Sequence, residues 1–336
     1  MAKPPCQNKL IEAVADANPN TVVVLHNGSP VEMPWIGKVK GVLEAYLGGQ
    51  AVGQATVKVL YGDVNPSGHL PETFPVKLSD NPSYLYYGGE GNEADYREGI
   101  FVGYRYYDKK DMEVLFPFGY GLSYTTFSYS NLRLSASEIT DQDTLTATVT
   151  VTNTGKVTGK TVVQLYVGDK VSTVLRPVRE LKGFEKVELQ PGESKDVSFV
   201  LDKRAFAYWN TELGDWHVET GEFTIEVGQS SRDIDVCGTV TVNSTVRVKK
   251  HYTLDSIYMD ILADPKAAKA IEPLLEGMNK AFSSDSDDSD EAAEGAVNDE
   301  MSMAMIQYMP LRGAISFGAD VTEEQMDALL EELNRD

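Results

Sequence analysis

The chain has 336 residues, enough for two or three compact units that each bury a core. A composition of 42% hydrophobic and 24% charged residues is ordinary for a globular protein and argues against overall disorder. A net charge of -21 would repel phosphate backbones and anionic bilayers, so it argues against nucleic acid and anionic membrane surfaces as partners while leaving neutral substrates open.

Residues 8–17 (NKLIEAVADA) place Leu10, Ile11 and Val14 at helical spacing, and Asn18-Pro19-Asn20 breaks the run. TVVVL, residues 21–25, is a continuous β-branched strand of the kind buried on both faces of a parallel sheet. Val39, Val42, Leu43, Tyr46 and Leu47 predict a second amphipathic helix, and Ala51, Val52, Ala55, Val59 and Leu60 a third. Helix, strand, helix and helix read as part of an α/β layered domain, incomplete because only one parallel-type strand is present.

HNGSP, residues 26–30, is a structural turn in which Gly28 supplies an unusual backbone angle; the G-x-S-x-G nucleophile elbow is absent. Gly48, Gly49 and Gly53 lack the spacing of a dinucleotide fingerprint and are expected to let a helix pack closely on the sheet. GGEGNEADYREG, residues 88–99, sets Glu90, Glu93, Asp95 and Glu98 in a glycine-rich loop. As a bare pattern it is a mobile exposed loop; the sharper reading is a loop reaching toward a substrate, with Tyr86, Tyr87 and Tyr96 as sugar-stacking rings. Next, YREGIFVGYRYYD (96–108) holds five aromatic rings and two arginines. A strand from Ile100 to Tyr107 would carry bulk on both faces and lie buried between two layers. Arg105 would then need a carboxylate, from Asp108 or from elsewhere in the fold.

From about residue 129 the pattern becomes all-β. Leu145, Ala147, Val149 and Val151 alternate with threonines, which is period two with one wet face. Turn-separated strands follow, with turns at Asn153-Thr154-Gly155 and Pro191-Gly192-Glu193. About seven short strands make an immunoglobulin-like sandwich.

After about Thr245 the chain reads as helical. Asp264-Pro265 caps and opens one helix, within which Pro273 is expected to cause a kink or a stop. Thr322 and Gln325 form a capping-box pattern before Met326, Leu329, Leu330 and Leu333. Residues 283–300 hold eight acids and no base and read as a solvated disordered linker.

The two cysteines, Cys6 and Cys237, make neither a disulfide framework nor a zinc site and fit a reducing compartment. With no apolar core of a signal peptide at MAKPPCQNKL, a cytoplasmic location is expected. The four histidines are scattered singly, so no metal site is expected.

Several segments together resemble one family. TVVVLHNGSPVEMP, LEAYLGGQAVGQATVKVLYGDVNPSGHLPETFP, YREGIFVGYRYYD and FPFGYGLSYTTFSYSNL, in that order and spacing, are similar to glycoside hydrolase family 3, the β-glucosidase family. RELKGFEKVELQPGES and GEFTIEVGQSSRDI are similar to the fibronectin type III-like domain that ends many of those enzymes. VNSTVRVKKHYTLDSIYMDILADP resembles the C-terminal helical extension of some bacterial members. The resemblance implies a multidomain α/β plus all-β chain. Residues 1–127 would form a partial α/β sandwich, 128–245 a fibronectin type III-like, immunoglobulin-like β-sandwich, and 246–336 a helical extension.

The same resemblance implies a retaining hydrolysis of terminal β-linked glucose by two carboxylates about 5–5.5 Å apart. The family's aspartate nucleophile lies in an N-terminal β/α barrel to which nothing here corresponds. Its acid/base glutamate lies upstream of the segment that QNKLIEAV matches, where this chain has MAKPPC. Neither carboxylate therefore carries over, and the isolated chain is expected to lack activity. Glu90 sits in a Gly-Glu-Gly context similar to the acid/base loop, but it follows the TVVVLHNG strand instead of preceding it, which makes it a weak candidate. The substrate-rim candidates are Tyr86, Tyr87, Glu90, Tyr96 and Glu98. The expected partners are a β-glucoside and a β/α barrel, with a homo-oligomer compatible and no cofactor implied. A carbohydrate-binding module, or a structural half that pairs with a separate barrel, are the alternatives.

Overall fold

The computed structural model describes residues 4–282, 304–316 and 321–335. They form two compact units, residues 1–246 and 247–336. The acidic stretch 283–300, read as a linker, lies outside the described residues.

The first unit opens with helix α1 (Pro5–Ala17), started by a proline in its first turn and ended at Asn18. Strands β1 (Val22–Leu25) and β2 (Gly41–Glu44) pair in parallel, Val23 opposite Val42 and Val24 opposite Leu43. This corrects the helix expected over residues 39–47. A parallel strand is apolar on both faces, so its short run mimics helical spacing, and pairing with β1 decides the outcome. Helix α2 (Val52–Leu60) follows as expected. A small core of Val23, Leu25, Val31, Met33, Trp35 and Phe74 binds these elements. Trp35 is fully buried, and its indole N–H donates to Asn8 of α1 (3.0 Å).

β1 is not buried on both faces, because Val22 is 49% exposed. Leu10 and Val14 of α1 and Val57 and Leu60 of α2 are also exposed. Gly28 has no left-handed φ, contrary to expectation; instead the Asn27 side chain holds the turn by donating to Ser29 O and Glu44 Oε2. The close helix-on-sheet packing expected of three glycines is not found. A Cβ on Gly48 would strike Val52 at the start of the adjoining helix, and Gly49 and Gly53 face open space.

The expected strand over residues 100–107 is also corrected. Gly103 has φ 58, a left-handed angle that turns the chain. Helix α3 (Tyr104–Lys109) then begins. Tyr107 is buried, Phe101, Tyr104 and Tyr106 are half-buried, and Ile100 and Val102 are exposed, so the one fully buried ring lies in the helical half.

The sandwich has a three-stranded sheet of β5 (Phe127–Leu134), β7 (Leu145–Asn153) and β10 (Ser194–Leu201). Facing it is a five-stranded sheet made, in spatial order, of β6 (Glu138–Thr140), β14 (Ile234–Asn243), β13 (Gly221–Gly228), β8 (Gly159–Asp169) and β9 (Glu180–Leu189). Along β7 every second residue is buried, and Leu145, Ala147, Val149 and Val151 are fully so. Each valine or leucine of this kind contributes roughly 1.5–3 kcal/mol on burial. The strand ends on Asn153, also fully buried, whose amide donates to Val157 O and Leu189 O and accepts from Thr125 Oγ1 and the Gly155 N–H. All its polar atoms are hydrogen-bonded, which offsets the cost of taking the amide out of water.

Helix α3 ties the α/β part to this sandwich. Arg105 pairs with Glu180 (2.9 Å), an acid from elsewhere in the fold, while Asp108 pairs with Arg232 (2.7 Å). The Leu181 N–H donates to the Tyr104 hydroxyl, and the Tyr104 ring stacks on Phe118 at 4.6 Å.

The second unit has its own core of Tyr252, Tyr258, Ile261, Ile271, Leu274, Ile306, Leu311 and Met326. Asp264 Oδ1 accepts from the Lys266 N–H at the start of Pro265–Phe282, and that helix runs on through Pro273. Glu323–Leu333 carries the expected capping box of Thr322 and Gln325.

Candidate functional site

The candidate residues lie on the loop between the short 3-10 turn Leu78–Asp80 and α3. Asn81 Oδ1 accepts from both the N–H and the hydroxyl of Ser83, which starts a run of tight turns through Tyr87. Gly88, Gly89 and Gly91 all take positive φ, and Glu90 and Glu93 exchange backbone hydrogen bonds (2.9 and 3.1 Å) across Gly91-Asn92. The glycines thus fold GGEGNEAD into a two-residue hairpin that presents its acids outward. Arg97 closes the loop. Its guanidinium donates twice to Asp95 Oδ2 (3.0 and 2.8 Å) and lies 4.8 Å above the Tyr86 ring.

Two clefts flank that Tyr86–Arg97 stack. One, of about 140 Å3, is lined by Tyr86, Tyr87, Glu90, Glu93, Asp95 and Arg97. The other, of about 320 Å3, is lined by Tyr86, Glu98, Phe101, Tyr106, Lys109 and Leu175 among others. The expected rim residues are therefore divided. Tyr86, Tyr87 and Glu90 share the acidic cleft, Tyr86 and Glu98 share the larger one, and Tyr96, 82% exposed, lines neither. The first cleft can offer carboxylate acceptors and aromatic faces to hydroxyl groups. Glu90 is exposed there, whereas a general acid in glycoside hydrolysis draws on an apolar surrounding.

A further cluster sits at the carboxyl ends of β1 and β2, the edge where parallel sheets receive ligands. Glu44 accepts from the Tyr46 N–H (2.9 Å) and the Asn27 amide (3.1 Å). Tyr46 has φ 46, and its hydroxyl donates to Glu72 Oε1 (3.2 Å). Burial, with Glu44's charge added, holds the Glu72 carboxyl above the usual range against the Tyr46 hydrogen bond. Nothing in the sequence singled these residues out. The only signal is an acid at the end of a short apolar run whose spacing also fits a helix.

Comparison with known proteins accounts for the arrangement. Residues 1–124 match the glycosyl hydrolase family 3 C-terminal domain, and residues 161–231 match the fibronectin type III-like domain. Thermostable beta-glucosidase B of Acetivibrio thermocellus is 53% identical over 335 residues, covering 99% of this chain and 43% of that protein. A probable beta-glucosidase I of Aspergillus oryzae is 52% identical over 63% of this chain and 26% of its own length. Among solved structures, the Bifidobacterium adolescentis GH3 beta-glucosidase matches 80% of this chain and 39% of its own, with TM-score 0.71 and 46% identity. The Kluyveromyces marxianus beta-glucosidase in complex with glucose matches 72% of this chain and 29% of its own, with TM-score 0.69 and 48% identity. The chain thus spans less than half the length of these relatives. Over residues 1–124 and 161–231 the chain carries the C-terminal and fibronectin type III-like domains of glycoside hydrolase family 3, and it corresponds to the C-terminal portion of these longer relatives.

Proposed function

We propose that the chain serves hydrolysis of terminal β-linked glucose, by a retaining mechanism, as one portion of a β-glucosidase whose nucleophile belongs to a β/α barrel. Its own task is to brace that barrel and close one side of the glucoside site, with Tyr87 and Glu90 of the acidic cleft as rim residues. The observation that carries this is the pairing of 53% identity to a beta-glucosidase with coverage of only 43% of its length. The open apolar faces of α1, α2 and β1 agree with it, since a parallel pair needs cover on both faces and further strands. Cys6 and Cys237, both exposed and unpaired, support a reducing, cytoplasmic location.

The test is p-nitrophenyl β-glucoside hydrolysis by the purified chain. No turnover is expected. Turnover that Glu90→Gln abolishes would place a complete catalytic pair in this chain and overturn the proposal.

A further inference from the structure

The two clefts beside the Tyr86–Arg97 stack carry opposite charge of equal size. The smaller sets Glu90, Glu93 and Asp95 against one base, Arg97, and the larger sets Arg97, Lys109 and Lys110 against one acid, Glu98. Arg97 is taken up by Asp95 of its own loop, and Lys110 lies 5.4 Å over the Tyr106 ring. Glu93 and Lys109 are exposed, and no ion pair among the described residues engages either of them. Apolar side chains are open on both sides as well. Leu85 stands exposed at the acidic cleft, and Leu175 stands exposed with Phe101 and Tyr106 at the basic one. Tyr96, Ile100 and Val102 of the same loop are also exposed. A run of open apolar side chains with charge at its rim is the composition of an association surface.

We propose that this face pairs with the same face of a second copy of the chain. When identical surfaces meet on a two-fold axis, the left of one copy lies on the right of the other. An axis running along the Tyr86–Arg97 stack therefore sets each acidic cleft on the basic cleft of the other copy. Glu93 then meets Lys109 of the second copy, and Leu85 enters the larger cleft against Phe101, Tyr106 and Leu175. That cleft, of about 320 Å3, has room for a leucine side chain. The occupant is a second copy because the basic, apolar-walled cleft calls for an acid beside an apolar side chain, and the adjoining cleft of this same chain presents both. The net charge of -21 keeps copies apart over most of the surface, but screening limits that repulsion to about 8 Å in physiological salt, so a face bearing both signs is where they meet. Contact through Glu93 and Leu85 leaves Tyr87 and Glu90 to the rim role proposed above.

The experiment is sedimentation velocity of the full chain at about 1–100 µM, with the Glu93→Lys and Lys109→Glu variants run alone and mixed. The native chain is expected to form a dimer as concentration rises. Each variant alone sets like charges across the axis and should weaken that dimer by about tenfold or more. An equal mixture of the two should dimerise again, because in the mixed pair both contacts join opposite charges. Leu85→Ser should also weaken the dimer, and no charge variant should restore it. All three changes fall on exposed side chains, and circular dichroism checks that each variant keeps its fold. A monomer over the whole range would overturn the inference. So would a dimer that persists in both charge variants, since the copies would then meet on another face. Loss in each variant with no recovery in the mixture would overturn the two-fold pairing. Turnover plays no part in these readings, so each failure leaves the hydrolytic proposal standing.

Discussion

Val149 and Val151 on β7 are fully buried, whereas Val22 on β1 is 49% exposed. The residue type is the same; the number of partners is not. β7 lies between two other strands and beneath a second sheet, so its alternation finds cover on the inner face and water on the outer. Among the described residues β1 and β2 pair only with each other, and parallel pairs gain stability from layers on both sides. The sandwich covers its own apolar face, while the parallel pair leaves apolar side chains exposed.

The largest effect should come from the buried ion network that closes the sandwich. Arg176 pairs with Asp169 (3.1 Å) and Glu180 (3.3 Å) and donates to Phe206 O (2.9 Å). Burial raises the Glu180 pKa, but Lys182, Arg105 and Arg176 together outweigh it and hold the carboxyl below its usual range. Removing the guanidinium by Arg176→Ala strands the buried Asp169 carboxylate, takes one of three cations from Glu180 and should lower stability by about 3–5 kcal/mol in urea denaturation. A loss under about 1 kcal/mol would mean that the network is solvated and the sandwich is looser than described.

An intermediate effect should appear at the junction of the two parts, as a pH dependence. His69 Nδ1 donates to Gly119 O (2.6 Å), and its Nε2 accepts from the Val162 N–H of β8 (3.4 Å). Burial holds this imidazole below its ordinary value of 6.5, the nearby Lys186 charge lowers it further, and hydrogen bonds to Gly119 and Gln229 oppose both. Above 6.5 the ring is neutral in folded and unfolded chains alike, and its contribution is complete. As pH falls below 6.5 the unfolded chain takes the proton first, so stability declines until the folded ring also titrates. Thermal melts from pH 7.5 to 5 should show this decline in the native chain and a flatter profile in His69→Gln. Parallel profiles would remove His69 from the junction.

The smallest effect belongs to the open side. Leu10→Lys on α1, at a side chain 65% exposed, should change the stability of this chain by less than about 0.5 kcal/mol. The same change should weaken assembly with the remainder of a β-glucosidase, measured by co-purification. A large loss of stability in the isolated chain would show that α1 already has its partner and that the parallel region is closed.

What the sequence conveyed follows the same division. β7 was legible because the pleat of a half-wet strand copies itself into alternation, and the capping box before Met326 because a cap is local. β2 was not, since Gly41–Glu44 is apolar on both sides and only its pairing with Val22–Leu25 distinguishes strand from helix. The turn at Gly103 was hidden by flanking residues of high β-propensity, and its positive φ has no signature beyond the glycine itself. The site was least legible. The partner of Arg105 lies 75 positions away at Glu180, and Glu98 faces Leu175 across a cleft that no spacing rule encodes. Family resemblance located the loop, and geometry alone separated its residues into two clefts.

The central proposal is that this chain completes a β-glucosidase and has no turnover on its own. Its most direct test is co-expression with the part of the Acetivibrio thermocellus relative that it does not span, followed by assay of p-nitrophenyl β-glucoside hydrolysis. The account predicts that neither part alone turns over substrate and that the co-purified pair does. Hydrolysis by this chain alone, or a stable pair that remains inactive, would contradict it.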